Sequence, residues 1–495
     1  MTSAFQIPIE DFICISPLLF LFLGSLIPLT IKVLRGNREP NPTMSLGFSL
    51  FGVIAALGVS CSLFPKLTPY YAFSNALVFD GVSIFSAILI CVVTAFTAIT
   101  AKENRATTGH QFTEFLFLLL NSAGGMMLVA WSNDLIVTFI AIEIMSLCLY
   151  LLIALSHEER LSKEAAFKYF VLGSFASAIF LYGIAFIFGL SGSTYINIVA
   201  QYTAALSHQN ALFLVGIVLT LIGFCFKVAI VPFHAWAPDV YEGAPTPITG
   251  FMATGVKVVV FIAFLRFIHL DFLSMDKTGH ILPIIEWLAV LTMTVGNIAA
   301  ILQSSLKRML AYSSIAHSGY VMIGLIAAGL GAHARSGNEA VVYYVFAYTI
   351  MTLGAFGVLA LFEKTESDLS QIDDIRGLSR RNPMAAVMLM LFLLSLAGIP
   401  PTIGFFAKFF VFKAAITQGL YWLAIWGAIN AAIAAYYYLR PVVYMFMRDE
   451  AGTVVETPHR LTWVVTAIMA VLTVILGLAT EPVYEAVRLA ARSLF

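Results

Sequence analysis

The chain has 495 residues, of which 60% are hydrophobic and only 11% carry a charge, and its mean hydropathy is +0.93. A soluble domain carries about 25% charged residues, so this composition excludes a set of water-soluble domains and predicts an all-α polytopic protein of the lipid bilayer. The 27 basic and 27 acidic side chains cancel, so no net field would attract nucleic acid or an acidic partner.

Fourteen apolar runs are long enough to cross a bilayer, which takes about 20 residues per helix. No stretch between them is long enough for a soluble domain. In chain order, the runs lie at 11–33, 43–64, 78–101, 112–131, 134–155, 164–190, 208–237, 246–268, 281–302, 309–331, 339–362, 384–411, 420–446 and 461–480.

Lysine and arginine in the short loops predict the orientation of these runs. The loops after odd-numbered runs carry fifteen basic residues, whereas the loops after even-numbered runs and the C-terminal tail carry six. We therefore expect the odd-numbered loops in the cytoplasm and both termini in the periplasm. The fifteen are Lys32, Arg35, Arg38, Lys102, Arg105, Arg160, Lys163, Lys307, Arg308, Lys364, Arg376, Arg380, Arg381, Arg448 and Arg460; the six are Lys66, Lys277, Arg335, Lys413, Arg488 and Arg492.

The seventh and twelfth runs are interrupted by prolines, Pro232 and Pro238 in the seventh and Pro400 and Pro401 in the twelfth. Proline removes a backbone donor and clashes with the preceding turn, so each helix should break there. The breaks are five runs apart and therefore enter the membrane in opposite directions, which is typical of inverted repeats that function near the bilayer midplane. A kink used only for packing would explain either break alone.

Four ionisable residues lie deep inside the runs, where each costs about 2.5 to 3.5 kcal/mol on insertion scales and is functional by default. Glu143 lies mid-way along the fifth run, Lys227 precedes the break of the seventh, Lys257 is central in the eighth, and Lys408 follows the break of the twelfth. Burial favours a neutral lysine and a nearby carboxylate favours a charged one. We therefore interpret these four residues as a proton relay.

Four further residues are candidates for the same relay, each with an alternative interpretation. Lys168 lies near the cytoplasmic edge of the sixth run, where it could snorkel to the interface. His234 lies inside the seventh-run break and His317 in the tenth run, and either could be a structural histidine. Glu114 begins the fourth run and could be an interfacial charge. Haem ligation by the two histidines is disfavoured, because nothing in the sequence makes them a facing pair.

The cysteines give no sign of a bound metal or cluster. They are widely spaced and form no C-x-x-C pair, which argues against iron–sulfur and structural zinc sites. No dinucleotide or P-loop fingerprint is present either. We expect no cofactor and no metal on this chain. The five cysteines are Cys14, Cys61, Cys91, Cys148 and Cys225.

Three motifs resemble the antiporter-like membrane subunits of respiratory complex I. They are KVAIVPFHAWAPDVYEGAPTPITGFMATGVKV from Lys227, KRMLAYSSIAHSGY from Lys307 and GIPPTIGFFAKFFVFKAA from Gly398, and the similarity extends over essentially the whole chain. The form DVYEGAPTPIT and the presence of Lys408 resemble the N-type subunits of the bacterial proton-translocating NADH:quinone oxidoreductase, whose mitochondrial counterpart is subunit 2. M-type chains carry Glu at the twelfth-helix break.

The resemblance implies two inverted five-helix repeats, runs four to eight and nine to thirteen, each with a broken helix and a half-channel. It also implies an ion pair of Glu143 with Lys227 in the first half, a bridge of Lys257 and His234, and a second half served by Lys408. Because Lys227 precedes its break and Lys408 follows its own, the halves cannot be chemically equivalent. The implied units are a three-helix segment at 1–110, repeats at 111–270 and 281–446, and a last helix with its tail at 459–495.

As to function, the resemblance implies a proton-translocating subunit of a translocase, with no redox active site on this chain. FMN, iron–sulfur clusters and quinone would belong to partner subunits. The neighbours would be antiporter-like subunit M and small membrane subunits such as K, with the peripheral redox arm reached indirectly. The expected location is the bacterial inner membrane.

Three alternatives remain open from the sequence. A subunit of a multisubunit sodium/proton antiporter or of a membrane-bound hydrogenase would share the fold, and co-purification with flavin and iron–sulfur proteins would separate these possibilities. A structural scaffold with vestigial charges predicts that Lys227→Ala leaves pumping intact. A quinone-binding catalytic subunit would itself be labelled by a quinone photoaffinity probe.

Overall fold

The computed structural model describes residues 8–64, 68–104, 107, 111–155, 160–205, 211–270, 273, 281–331, 334–363, 370–449 and 459–494. Lys66, Arg105, Lys277 and Lys364 of the charge count lie outside these ranges. The helices are α1 Ile9–Leu34, α2 Pro42–Leu63, α3 Gly81–Glu103, α4 Phe112–Trp131, α5 Leu135–Ala154, α6 Arg160–Ser191, α7 Ile196–Ala205, α8 Ala211–Lys227, α9 Trp236–Gly243, α10 Thr246–Ile268, α11 Ile281–Ile301, α12 Leu306–Gly329, α13 Ala334–Phe362, α14 Leu378–Arg381, α15 Pro383–Ala397, α16 Ile403–Thr417, α17 Tyr421–Met447, α18 Arg460–Leu478 and α19 Thr480–Ala491.

Each predicted run coincides with one helix or with one pair of helices that flank a break. Within the described residues, twelve helices are long and apolar enough to cross a membrane, by length and composition. The seventh and twelfth runs correspond to the shorter apolar helices α8 and α15, continued by α9 and α16. The prediction of an all-α polytopic fold is confirmed, whereas the count of fourteen spans stays a prediction.

Both predicted helix breaks are present, and proline or glycine lies at each of them. Helix α8 ends at Lys227, and Pro232 lies in the unwound segment before α9. Pro238 was expected to help break the helix, but it lies in the first turn of α9, where proline is tolerated because the first-turn N–H groups have no intrahelical acceptor. Helix α15 ends at Gly398, whose φ of +87° is a left-handed cap that glycine adopts without strain.

Some elements were absent from the sequence prediction. A short hairpin pairs β1 Tyr70–Ala72 with β2 Leu77–Phe79 between α2 and α3. The short helix α7 precedes α8, and the amphipathic α19 packs against α3 and α13. These elements are too short or too polar for a search based on twenty-residue apolar runs.

Loops from alternate ends of the helices gather at opposite faces. Ser305, after α11, bridges to Gln371, after α13. At the other face, Leu77, between α2 and α3, bridges to Ser132, between α4 and α5. A chain that crosses the membrane back and forth requires this segregation. We call the side with Ser305 and Gln371, where the loops after odd-numbered runs lie, the odd face. The side with Leu77 and Ser132 is the even face.

Helices α10, α12 and α13 form the centre of the protein. The membrane-crossing window of α10 is buried along its whole length, and those of α12 and α13 are buried almost completely. Helices α1, α2 and α6 instead expose large apolar side chains such as Phe51 and Phe175. Residues on the central helices are therefore shielded from the surrounding solvent by protein on all sides.

Candidate functional site

Lys257 lies in the wholly buried helix α10, directly after a π-helical turn at Met252–Val256. Its ammonium donates to the Ser314 carbonyl and, at 2.7 Å, to the Ser318 hydroxyl, both on α12. π-Turns occur frequently at functional sites. Because α10 is surrounded by other helices, the Lys257 side chain has no short route to the bilayer surface, which argues against snorkelling.

Ser318 connects Lys257 to the first broken helix. Its hydroxyl donates to the Val228 carbonyl at 2.6 Å, and Val228 is the first residue after α8. The unwound carbonyl thereby gains a partner that the helix no longer supplies, as an irregular backbone inside a membrane requires. A polar line therefore runs from the end of α8 to Lys257.

His317 is the centre of a tyrosine cluster rather than an isolated structural histidine. Its Nδ1 lies 2.7 Å from the Tyr344 hydroxyl and its Nε2 lies 3.0 Å from the Tyr438 hydroxyl. Tyr438 also hydrogen-bonds to Ser313. A small cavity, close to the minimum size for one water molecule, is lined by His317, Lys257 and Ser318 among others.

Glu143 and Lys227 lie close together but are not joined by a direct ion pair in the described structure. Lys227 donates to the Ser146 hydroxyl at 2.8 Å, and Glu143 accepts from Ser177. Ser146 is three residues after Glu143, on the same face of α5. A serine on the same helix face occupies the position next to the ammonium, so the two residues make no direct contact in the described structure, and the ion pair that the resemblance implied stays a prediction.

Lys408 is buried in α16 and turns back toward the break. Its ammonium donates to the Ala397 carbonyl at 2.8 Å and lies 5.0 Å from the centre of the Tyr320 ring. A Cβ atom at Gly398 would lie 3.0 Å from Lys408 Cδ, so the glycine leaves room for the lysine. Beyond Tyr320, Asn297 approaches the tyrosine hydroxyl at 3.5 Å.

Lys168 is held by ion pairs near the odd face. Its ammonium lies 2.7 Å from Glu164 and 3.0 Å from Asp239, and it is partly exposed. Arg308 bridges Asp239 and Glu242 at 2.9 and 2.8 Å. This group, which we call the odd-face ion cluster, places Lys168 at the edge rather than beside Lys257.

Glu114 and His234 have no hydrogen bond to the central lysines among the described residues. Glu114 pairs with Lys32 of α1 at 2.6 Å, and Glu39 pairs with the same lysine at 2.5 Å. His234 lies in the unwound segment before α9, and no hydrogen bond joins it to Lys257 among the residues that the structure describes. The two residues make no direct contact in the described structure, and their expected role along the polar axis stays a prediction.

A buried ion pair between α10 and the start of α3 was missed by the sequence analysis. Arg266 and Asp80 lie 2.8 Å apart and are each almost fully buried. Asp80 also caps α3 through the Ser83 N–H. Both residues lie at the ends of runs, where charges are expected, so neither was singled out. Because the chain crosses the membrane alternately, both of these ends lie on the even face. That shared location could have predicted the pair from the sequence.

The chain matches a family model described as NADH:quinone oxidoreductase/Mrp antiporter, TM, over residues 132–434. It is 50% identical over 482 residues to the NADH-quinone oxidoreductase subunit N of Bdellovibrio bacteriovorus, covering 97% of this chain and 98% of that relative. The range matched by the family model contains the positions of Glu143, Lys227, Lys257 and Lys408.

Solved structures show the same fold. A chain of respiratory complex I from Thermus thermophilus with bound aureothin superimposes with a TM-score of 0.80 at 32% identity, covering 96% of this chain and 99% of that one. A chain of the Mrp complex from Dietzia sp. gives a TM-score of 0.81 at 18% identity over 98% and 97%, which shows the fold alone. The chain belongs to the family of NADH-quinone oxidoreductase subunit N, and it is an integral multi-pass membrane protein.

Proposed function

We propose that this chain is the proton-translocating membrane subunit of an NADH:quinone oxidoreductase, and that it couples electron transfer from NADH to quinone to proton transport. The observation that carries the proposal is the polar line in the protein centre. In it, Ser318 joins the Lys257 ammonium to the carbonyl of Val228, the residue that follows Lys227, and the Lys227 ammonium itself donates to Ser146 of α5. Such groups are costly in a membrane and mark proton pathways.

Glu143, Lys227, Lys257 and Lys408 are the proton-carrying residues in this proposal. Glu143 acts on the charge of Lys227 electrostatically through space, since Ser146 accepts from the ammonium and Ser177 donates to the carboxylate. His317 connects Lys257 to the second half, because it follows Ser314 by three residues on α12. Lys168 lies at the odd-face mouth, while Glu114 and His234 are accessory.

The fold supports the two inverted repeats at 111–270 and 281–446. Helix α4 packs on α5 as α11 packs on α12, and α5 packs on α6 as α12 packs on α13. The pairs α8/α9 and α15/α16 supply the matching breaks. The segment 1–110 and the unit 459–495 flank the repeats. The basic loops would place the odd face in the cytoplasm and both termini in the periplasm of a bacterial inner membrane.

The redox chemistry would belong to other subunits. FMN, iron–sulfur clusters and quinone would be bound there, and this chain would take part in the translocase without a redox active site. Its neighbours would be subunit M and small membrane subunits such as K, with the peripheral arm acting indirectly. The similarity to subunit N relatives along nearly the whole chain supports this assignment over an independent antiporter.

The test is Lys227→Ala in inverted vesicles, with NADH-driven acidification and NADH:quinone reduction both measured. Lys413→Ala, which removes an exposed lysine of α16, is the matched control. We expect Lys227→Ala to lower both activities while the level of assembled complex stays normal, and Lys413→Ala to leave them unchanged. If both activities persist in Lys227→Ala, an antiporter or a scaffold becomes the better explanation.

A further inference from the structure

Two tyrosines at the contact of α5 and α6 bury hydroxyl groups that form no hydrogen bond within the described part of the chain. Tyr150 is 6% exposed and Tyr169 is fully buried. Their rings meet edge to face with centroids 4.8 Å apart. Neither hydroxyl has a hydrogen-bond partner among the residues that the structure describes. A buried hydroxyl without a partner costs free energy, and an ordered water molecule is the usual remedy.

These tyrosines continue a polar seam between the two helices. Glu143, Ser146 and Tyr150 follow one another at helical spacing along one face of α5. The facing stripe of α6 consists of Tyr169, Gly173 and Ser177. The seam is closed at mid-helix by the hydrogen bond from Ser177 to Glu143. It therefore runs from Glu143 toward the odd face.

Gly173 makes room for the Tyr150 hydroxyl. A Cβ atom added at Gly173 would overlap the hydroxyl oxygen of Tyr150 and no other group as closely. A phenylalanine at position 150 would have no unpaired polar atom and would not need the space that Gly173 leaves. The pairing of a glycine with a tyrosine hydroxyl in an otherwise apolar contact indicates that the oxygen itself is used.

At the odd-face end, Tyr169 is fixed between the ion cluster and Lys227. Its ring stacks on Trp236 at 4.6 Å, and the Trp236 indole donates to the Phe226 carbonyl at 2.9 Å, one residue before Lys227. Lys168, the residue before Tyr169, pairs with Asp239 of the cluster. The Tyr169 ring is therefore held in place between the odd-face ion cluster and the end of α8 at Lys227.

At the inner end, Tyr150 approaches the partner of Lys227. Its hydroxyl lies near Ser146, close enough to interact but without a hydrogen bond of good geometry. Ser146 in turn accepts from the Lys227 ammonium. One water molecule at the tyrosine pair would extend this line from Tyr150 to Tyr169, whose ring stacks on Trp236, three residues before Asp239 of the ion cluster.

We infer that the Tyr150 and Tyr169 hydroxyls hold a buried water molecule and pass protons between the odd-face ion cluster and Lys227. This inference rests on the proposed function and specifies the mouth of its first half. The transfer is a chain of hydrogen-bond exchanges. Each oxygen releases one proton to the next as it accepts one from behind, so the oxygens keep their charge, Lys227 gains a proton, and the ion cluster that supplies it takes up a proton from the water at the odd face.

The first test uses Tyr150→Phe and Tyr169→Phe in the assembled complex, with Tyr182→Phe, an exposed tyrosine of α6, as the control. We expect protons pumped per NADH oxidised to fall severalfold in each single variant. The double variant should be no worse than the lower single one, because both lie on one path. Tyr182→Phe should pump normally. High-resolution electron microscopy of the unmodified complex should show water density within hydrogen-bond distance of both hydroxyls.

The second test separates the hydroxyl from packing. Gly173→Ala should lower pumping in the parent, where it displaces the hydroxyl, but add little in the Tyr150→Phe background. Normal pumping by both tyrosine variants, or an empty site between well-resolved hydroxyls, overturns the inference. If the tyrosine variants pump normally but Lys227→Ala abolishes pumping under the same assay conditions, only the inference about the tyrosines has failed. If Lys227→Ala pumps normally, the proposed function has failed instead.

Discussion

Lys257 and Ser318 are joined by a 2.7 Å hydrogen bond between α10 and α12. The same serine donates to the Val228 carbonyl at the first break. One hydroxyl therefore connects a buried ammonium to the unwound backbone next to Lys227. Small polar side chains, and not only the charged ones, complete the central line.

Ser318→Ala is expected to lower proton pumping by about tenfold. The change removes one of the two hydrogen bonds of Lys257, and a hydrogen bond to a charged group contributes roughly 1.5–3 kcal/mol, or about tenfold or more. NADH-driven acidification of inverted vesicles measures the effect. Ser174→Ala removes an exposed serine of α6 that bonds only to its own helix, and it should have no effect.

Glu143→Gln tests the role of charge without a loss of volume. The amide can still accept from Ser177, so the local structure should persist. Loss of the carboxylate removes the electrostatic partner of Lys227, and loss of a proton-transfer group typically costs about a hundredfold or more in rate. Glu143→Asp, which keeps the charge, should retain part of the pumping. Equal pumping by the glutamine variant and the parent would contradict the electrostatic role.

Asp80→Asn should destabilise the protein strongly. The amide can still cap α3, but the buried Arg266 loses its counter-charge, and a broken buried pair costs about 3–5 kcal/mol. The temperature at which the assembled complex dissociates, followed on native gels, should fall. Arg488→Ala breaks an exposed pair with Glu485 and should change stability by about 1 kcal/mol or less.

The ion pair of Glu363 with Lys307 predicts that the folded protein loses stability in acid. Burial raises the pKa of this carboxyl, but the Lys307 ammonium at 2.6 Å and the hydrogen bonds it receives outweigh burial, so its pKa lies below the ordinary 4.5. A lowered folded-state pKa gives stability that is present above the ordinary value and lost as pH falls through the folded one. Thermal stability measured against pH should decline less steeply below pH 4.5 in Glu363→Gln. The exposed Glu481→Gln should decline like the parent.

Gly398→Ala should impair both stability and pumping. Its φ of +87° is strained for alanine, by about 1–2 kcal/mol, and the new Cβ would press on the Lys408 side chain. Gly419→Ala is the matched control, because its φ is +78° but no atom lies within 4 Å of the added Cβ. We expect the two variants to lose similar stability and only Gly398→Ala to lose pumping. Equal pumping by both would show that Lys408 is not displaced.

Much of the fold could be predicted from the sequence, because long apolar runs and interior prolines act locally. The ends of α8 and α15 follow from proline chemistry that needs no tertiary contact. The four deep charges could be found for the same reason, since a charge inside an apolar run is visible without a partner.

The partners of those charges could not be predicted. Ser146 is the one serine of α5 and Ser318 is one of three in α12, and nothing local separates them from the exposed Ser174. Which serine receives a lysine depends on helix rotation and on contacts between distant segments. The resemblance predicts that Glu143 and Lys227 are neighbours and form an ion pair. It does not predict which of their atoms are in contact, because that also depends on helix rotation.

Helix α12 carries Ser314 and Ser318 for Lys257, His317 for the tyrosine cluster, and Tyr320 beneath Lys408. All of these groups belong to residues 314–320, about two turns of one helix. A sliding or twisting displacement of this helix would alter the surroundings of both lysines in a single movement. The two halves of the molecule therefore share one helix, and the contacts of Lys257 and Lys408 change together when that helix moves.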